Sequence, residues 1–146
     1  MVLAMTGKLT LQIANRVVAA ALQHSDQAGY KPMAVVVVDE SGHLKSAQRQ
    51  DGASMFRMDI ALGKAWASVA MGASSRVLAQ RARDMPVFFQ SLATTGQGRF
   101  IPQTGAVLVL DRQGTVIGAV GASGGTGDED EAVCIAAVQQ EGLTAG

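Results

Sequence analysis

Two hydrophobic periods alternate along this chain. From Leu9 to Ala28, the apolar residues Leu11, Ile13, Val17, Val18, Ala21 and Leu22 recur at spacings that keep them on one broad face. That is the pattern of an amphipathic helix. Thr10 stands at its start as an N-cap, Gly29 follows as the left-handed residue that stops it, and Pro32 confirms the break. Met33 to Asp39 is then a short apolar run rich in valine, which predicts a well-buried strand. "DESG", Asp39 to Gly42, is a turn in which the aspartate caps and the glycine supplies the positive φ of a bulged hairpin. His43 to Gln50 returns as a second strand with a more polar face.

The same device recurs in "AVLVLDRQGTVIGAVGAS": a strand to Leu110, the turn Asp111 to Gly114, and a strand to about Gly121. Two hairpins with one D-x-x-G turn predict a single antiparallel sheet of at least four strands. Met55 to Leu92, between them, is helical in pattern. Pro86 is expected in the first turn of a short helix with Asp84 as its cap. Thr95 to Gly105 reads as a loop, and Asp128 to Glu141 as a helix ending at Gly142. The order α-β-β-α-α-β-β-α, with a further short helix at Pro86, makes this an α+β fold. A single domain over residues 1–146 is expected, its helices packed on an antiparallel sheet built from two hairpins.

Composition narrows the function. Hydrophobic residues are 48% of the chain and charged ones 16%, enough apolar material for a core. Twelve basic and 12 acidic side chains cancel, no like-charge block occurs, and aromatics are 4%, so nucleic acid is excluded as the expected partner. The apolar run Ala34 to Val38 is far shorter than the ~20 residues a membrane helix needs. "MVLAMTGKLT" lacks the pattern of a signal peptide. Cys134 is the single cysteine, so no internal disulfide and no self-contained structural zinc site is expected, and a cytoplasmic protein is the natural reading. No metal ligands are assigned.

The chemistry centres on "IALGKAWASVAMGASS", Ile60 to Ser75, whose one charged residue is Lys64. A lysine there either snorkels to water along its stem or holds its ammonium in a pocket floor as a base or anion partner. Gly63, Ala65 and Ala67 leave room for a ligand or another backbone. "QRQDGAS", Gln48 to Ser54, follows a strand: Arg49 and Asp51 are either a rim ion pair or the holders of a ligand carboxylate, Gly52 marks a tight turn, and Met55 flanks the pocket. In "GASGGTGDEDEA", Gly121 to Ala132, a strand runs through a glycine loop into a helix, where backbone N–H groups gather an anion. Neither the P-loop nor the dinucleotide pattern fits its glycines. Asp128 and Glu131 suit the cap and first turn of that helix, which leaves Asp130 over. His24 and His43 are the only imidazoles, and Cys134, among Val133, Ile135 and Ala136, reads as a buried inert thiol.

Taken together, "VVVVDESGHLKSAQRQDGAS", "IALGKAWASVA" and "VIGAVGASGGTGDEDEAVCIAA" resemble the GlcG/HbpS-like family, also called the haem-degrading-domain family, which includes the C-terminal domain of PduO-type proteins. The resemblance runs from about Leu9 to Leu143. It rests on R-x-D-G-A at Arg49, Asp51, Gly52 and Ala53, on K-A at Lys64 and Ala65, and on S-G-G followed by an aspartate at Ser123, Gly124, Gly125 and Asp130. It implies an antiparallel sheet covered by helices, a homo-oligomer from tetramer to octamer, and haem or another tetrapyrrole as ligand. Where relatives carry G-G-x-P, this chain reads "GRFIPQTGAV" with Pro102, which implies a different pocket rim.

Three functions stay open. One is a small-molecule-binding protein with haem as the family-implied ligand and His24 as axial candidate. Another is a cofactor-free lyase, isomerase or hydratase on a small carboxylate-bearing metabolite. There Lys64 and Asp130 or Asp51 are acid/base groups, and Arg49, Gly52, Ser123, Gly124, Gly125 and Met55 are binding residues. The third is a sensory or structural oligomer without turnover. One further expectation is positional: Lys64 points into a cleft shared with Arg49 and the Ser123 to Asp130 loop.

Overall fold

The computed structural model describes residues 8–146. Residues 1–7, most of the segment read as lacking a signal peptide, lie outside it. The elements run α1 (Leu11–Ala28), β1 (Ala34–Asp39), β2 (Leu44–Arg49), α2 (Phe56–Met71), α3 (Ser75–Asp84), α4 (Pro86–Thr95), β3 (Ala106–Leu110), β4 (Val116–Ser123), α5 (Gly127–Gln140) and β5 (Thr144–Ala145). The strands form one antiparallel sheet in the order β2-β1-β4-β3-β5. The α+β class and the two hairpins are as the sequence predicts.

Both hairpins close in the same way. Asp39 Oδ1 accepts from the backbone N–H groups of Ser41 and His43 at 2.9 and 3.0 Å. Asp111 Oδ1 accepts from those of Gln113 and Thr115, both at 2.9 Å. Gly42 and Gly114 take φ of 82° and 80°, and each hairpin's register shifts at its turn end. An aspartate satisfies two turn donors, and a glycine adopts the left-handed backbone that other residues avoid.

Helices cover both faces. Val35 and Val37 of β1 point toward α1 and α5, while Ala34, Val36 and Val38 point toward α2. A strand covered on both sides needs no polar face, which explains its unbroken apolar run. A satellite cluster of Leu78, Phe89 and Phe100 fills the space beneath α3 and α4.

Two local expectations are corrected. Leu11, assigned to the apolar face of α1, is 55% exposed, because it lies in the first turn, beyond the edge of the core. Asp84 is the last residue of α3 and does not cap α4, whose N-cap position is Met85, without a side-chain bond. Pro86 does open that helix. The edge strand β5 has only two residues and carries no periodicity to read.

Candidate functional site

α2 lies flat on the sheet through Ala61 and Ala65. A side chain at Gly121 of β4 would collide with the Ala61 carbonyl oxygen and come within 3.1 Å of the Ala65 nitrogen. The glycine thus permits the close approach that buries this helix face. Lys64 is on that face and is 5% exposed. It does not snorkel to the surface. Its Nζ donates to the Ala122 carbonyl at 3.0 Å and to Asp130 Oδ2 at 3.2 Å. Asp130, 2% exposed, accepts at Oδ1 from the Gly125 N–H at 2.9 Å. An ammonium carries three donors, so two are engaged and one is left. Gly105, at φ 140°, makes room for the ammonium: a Cβ there would stand 2.6 Å from Nζ.

Burial pushes the Asp130 carboxyl above its ordinary range. The Lys64 charge and the backbone N–H groups of Gly125 and Gly124 pull the other way without cancelling it. Burial also pushes the Cys134 thiol up. Its Sγ donates to the Gly105 carbonyl at 3.6 Å, so it stays a protonated core residue.

Lys64 and Asp130 form the floor of an open cleft of about 450 Å³. Arg57 of α2, Arg83 of α3, Thr104 and Ser123 stand around it. Arg57 Nη1 donates to Ser123 Oγ at 3.3 Å. Among the described residues, neither Arg57 nor Arg83 forms an ion pair with a carboxylate. Asp128, also at the cleft, is held by Arg76. A neighbouring cleft of about 520 Å³ shares Arg57 and Gly125 and adds Tyr30, Lys31 and Gly124.

The helix after the glycine loop is capped differently from the sequence expectation. Thr126, not Asp128, is the N-cap, in a reciprocal capping box with Glu129. The Thr126 hydroxyl accepts from the Glu129 N–H at 3.2 Å, and Glu129 Oε1 accepts from the Thr126 N–H at 2.9 Å. Asp128 and Glu131 reach outward to Arg76, which ties α3 to α5; its Nε donates to Glu131 at 3.1 Å. A threonine two residues upstream presents the same cap chemistry, and the chain takes that register.

Arg49 does not share the Lys64 cleft. It ends β2, opposite Ala34, and Ser123 of β4 is opposite Ala34 on the other side. The two residues are at the same end of the sheet but two strand spacings, about 10 Å, apart. Arg49 donates instead to the Ala53 carbonyl and lines a separate cleft of about 510 Å³ with Asp26, Tyr30, Gln48, Gln50 and Asp51. Gly52, at φ 89°, closes the turn beside Pro32, and Met55 is 82% exposed. His24 Nε2 lies 3.1 Å from Gln140 Oε1, and His43 is near Asp39 at the first hairpin; neither lines any of these clefts. Among the described residues, no group of three or more His, Cys, Asp or Glu side chains is placed to hold a metal ion. Among the described residues, no helix is long and apolar enough to cross a membrane.

Arg57, Arg83 and Gly105 went unread in the sequence. Arg57 had a signal: Arg57, Ile60 and Lys64 follow i, i+3, i+7, one helix face.

Known proteins share this architecture. An uncharacterized 15.0 kDa protein of the dhaT-dhaS intergenic region in Citrobacter freundii is 32% identical over 99 residues, 68% of each chain. The crystal structure of Klebsiella pneumoniae protein ORFY is similar with a TM-score of 0.81 at 29% identity, covering 90% of this chain and 88% of that one. The PduOC haem complex has the same fold, with a TM-score of 0.83 at 24% identity over 93% of this chain and 96% of that one. Residues 9–139 match the family described as haem degrading protein HbpS-like, and the chain belongs to that HbpS-like family.

Proposed function

We propose that this chain is a small-molecule-binding protein that holds a carboxylate-bearing ligand in the Lys64 cleft. The observation that carries it is the charge balance at the wall. Lys64 and Asp130 satisfy each other at the floor, Asp128 is held by Arg76, and Arg57 and Arg83 are left facing the cleft without carboxylate partners. Two guanidinium groups with free donors fit carboxylates in bidentate geometry. Ligand-observed NMR with mono- and dicarboxylates tests it. Binding that weakens at least tenfold in Arg57→Gln is the expected result. Binding of none of them, or binding unchanged in both Arg57→Gln and Arg83→Gln, overturns it.

Haem is the second reading, supported by the family description and by the shared fold of the PduOC haem complex. Its propionates belong to the same carboxylate class and suit Arg57 and Arg83. Its iron is not matched by a histidine there, since His24 and His43 both stand outside the clefts. The cleft residues therefore fit the propionates and not the metal, and ligation by His24 on α1, the axial candidate, would make a separate haem site outside the cleft. Haemin titration separates the readings: a Soret shift abolished by His24→Ala supports haem, and a shift unchanged by both His24→Ala and His43→Ala counts against it.

A homo-oligomer, tetramer to octamer, belongs to the same proposal, supported by the exposed Val77 of α3, Val87 and Phe88 of α4, and Met85 between the two helices. Light scattering checks it, and a monomer mass removes it. A lone buried cysteine agrees with a cytoplasmic home.

A further inference from the structure

We infer that the Lys64 cleft also catalyses proton transfer, with Asp130 as the base that takes a proton from the carbon beside a ligand carbonyl and Lys64 as the donor that holds the resulting enolate oxygen. This rests on the reading that the cleft binds a carboxylate.

Three features of the geometry support it. The pair lies on the cleft floor with only 6% and 2% of the two side chains exposed, where charge interactions are screened least. Lys64 has one donor beyond its bonds to Ala122 and Asp130. Asp130 is fixed from two sides, Oδ1 by the Gly125 N–H and Oδ2 by Lys64, yet each carboxylate oxygen keeps a second lone pair. A carboxyl that burial raises above its ordinary range is also a better proton acceptor than a surface aspartate.

The step balances without a cofactor. The C–H bond next to the carbonyl breaks and its proton passes to an Asp130 oxygen. Its electron pair forms the C=C bond of an enolate, and the negative charge settles on the oxygen facing Lys64. Return of the proton to the same carbon regenerates the substrate, and return to another carbon moves the double bond. Arg57 and Arg83 anchor the substrate's carboxylate, which makes the substrate class a 2-oxo acid or an unsaturated relative.

The test is hydrogen–deuterium exchange in D2O, read by proton NMR at carbon 3 of 2-oxobutanoate and 2-oxoglutarate. Wild-type protein is expected to accelerate exchange, and Asp130→Asn to lower that rate by about 10²-fold or more, the usual size of a general-base contribution. Arg57 is only half-buried, so Arg57→Gln is less exposed to misfolding than Asp130→Asn; it is expected to lower exchange at limiting probe about tenfold, in line with one charge-assisted contact. A bound probe that exchanges no faster with wild type than with Asp130→Asn overturns the proton-transfer step and leaves the binding reading intact. Failure of both probes to bind in the same samples overturns both.

Discussion

The Lys64 and Arg49 clefts are similar in size, about 450 and 510 Å³, and both are lined by charged side chains. They differ in what holds those charges. Lys64 and Asp130 are tied to each other and to backbone at two places, Ala122 of β4 and Gly125 of the loop. Arg49 and Asp51 are exposed, and Arg49 reaches only the Ala53 carbonyl four residues away. Similar volume thus accompanies a preorganised site in one case and a flexible rim in the other. An exposed side chain reorients at little cost, while a buried ion must keep its partner.

The sharpest way to break this comparison is Lys64→Met against Arg49→Met. Loss of Lys64 leaves a buried carboxylate unpaired and should cost about 3–5 kcal/mol in denaturant unfolding. Arg49→Met should stay within about 1 kcal/mol. The double variant Lys64→Met/Asp130→Leu should recover most of the loss, since a buried pair replaced by apolar groups is often neutral. Equal losses at Lys64 and Arg49 would show that the two clefts are held alike.

Glycines give the next contrast. Gly105→Ala combines a φ of 140° with a Cβ 2.6 Å from Lys64 Nζ, and should lower stability by about 2–3 kcal/mol. At Gly52 the Cβ meets Pro32 at 3.3 Å, and Gly52→Ala should cost about 1–2 kcal/mol from the left-handed backbone alone. Melting temperatures in that order support the distinction. Thr126→Ala, which removes one half of the capping box, should cost about 1 kcal/mol by the same measurement.

The smallest effect concerns pH. The folded state holds the Asp130 proton more tightly than the unfolded chain, whose carboxyl has the ordinary value of 3.8. The contribution of this group is therefore fully present below 3.8 and is lost as pH rises through the higher folded value. Thermal melts of wild type minus Asp130→Asn should fall with rising pH across that window, with the other charged groups lining the cleft (Lys64, Arg57, Arg83 and Asp128) unchanged between the two. A flat or rising difference sinks the assignment.

Much of this was fixed locally, and the physics explains which parts. The valine run, the two D-x-x-G turns, Thr10 and Gly29 around α1, and Pro86 at the start of α4 are decided by steric and hydrogen-bonding preferences within a few residues. A sequence displays those directly. The lone Lys64 in a small-sided helix also announced burial, because such a face has no other way to carry a charge. Strand order is different. Arg49 and Ser123 both face Ala34 across the sheet, yet β1 lies between them, and only the completed order β2-β1-β4 separates their clefts. The choice of Thr126 over Asp128 as cap was by contrast local, because Thr126 with Glu129 three residues on forms a reciprocal capping box. Arg83 and Gly105 joined the cleft through contacts between residues far apart in the chain, which no local pattern encodes. The sequence by itself determined the elements and the buried lysine; the tertiary structure decided its neighbours, since long-range packing selects among partners that local chemistry leaves equivalent.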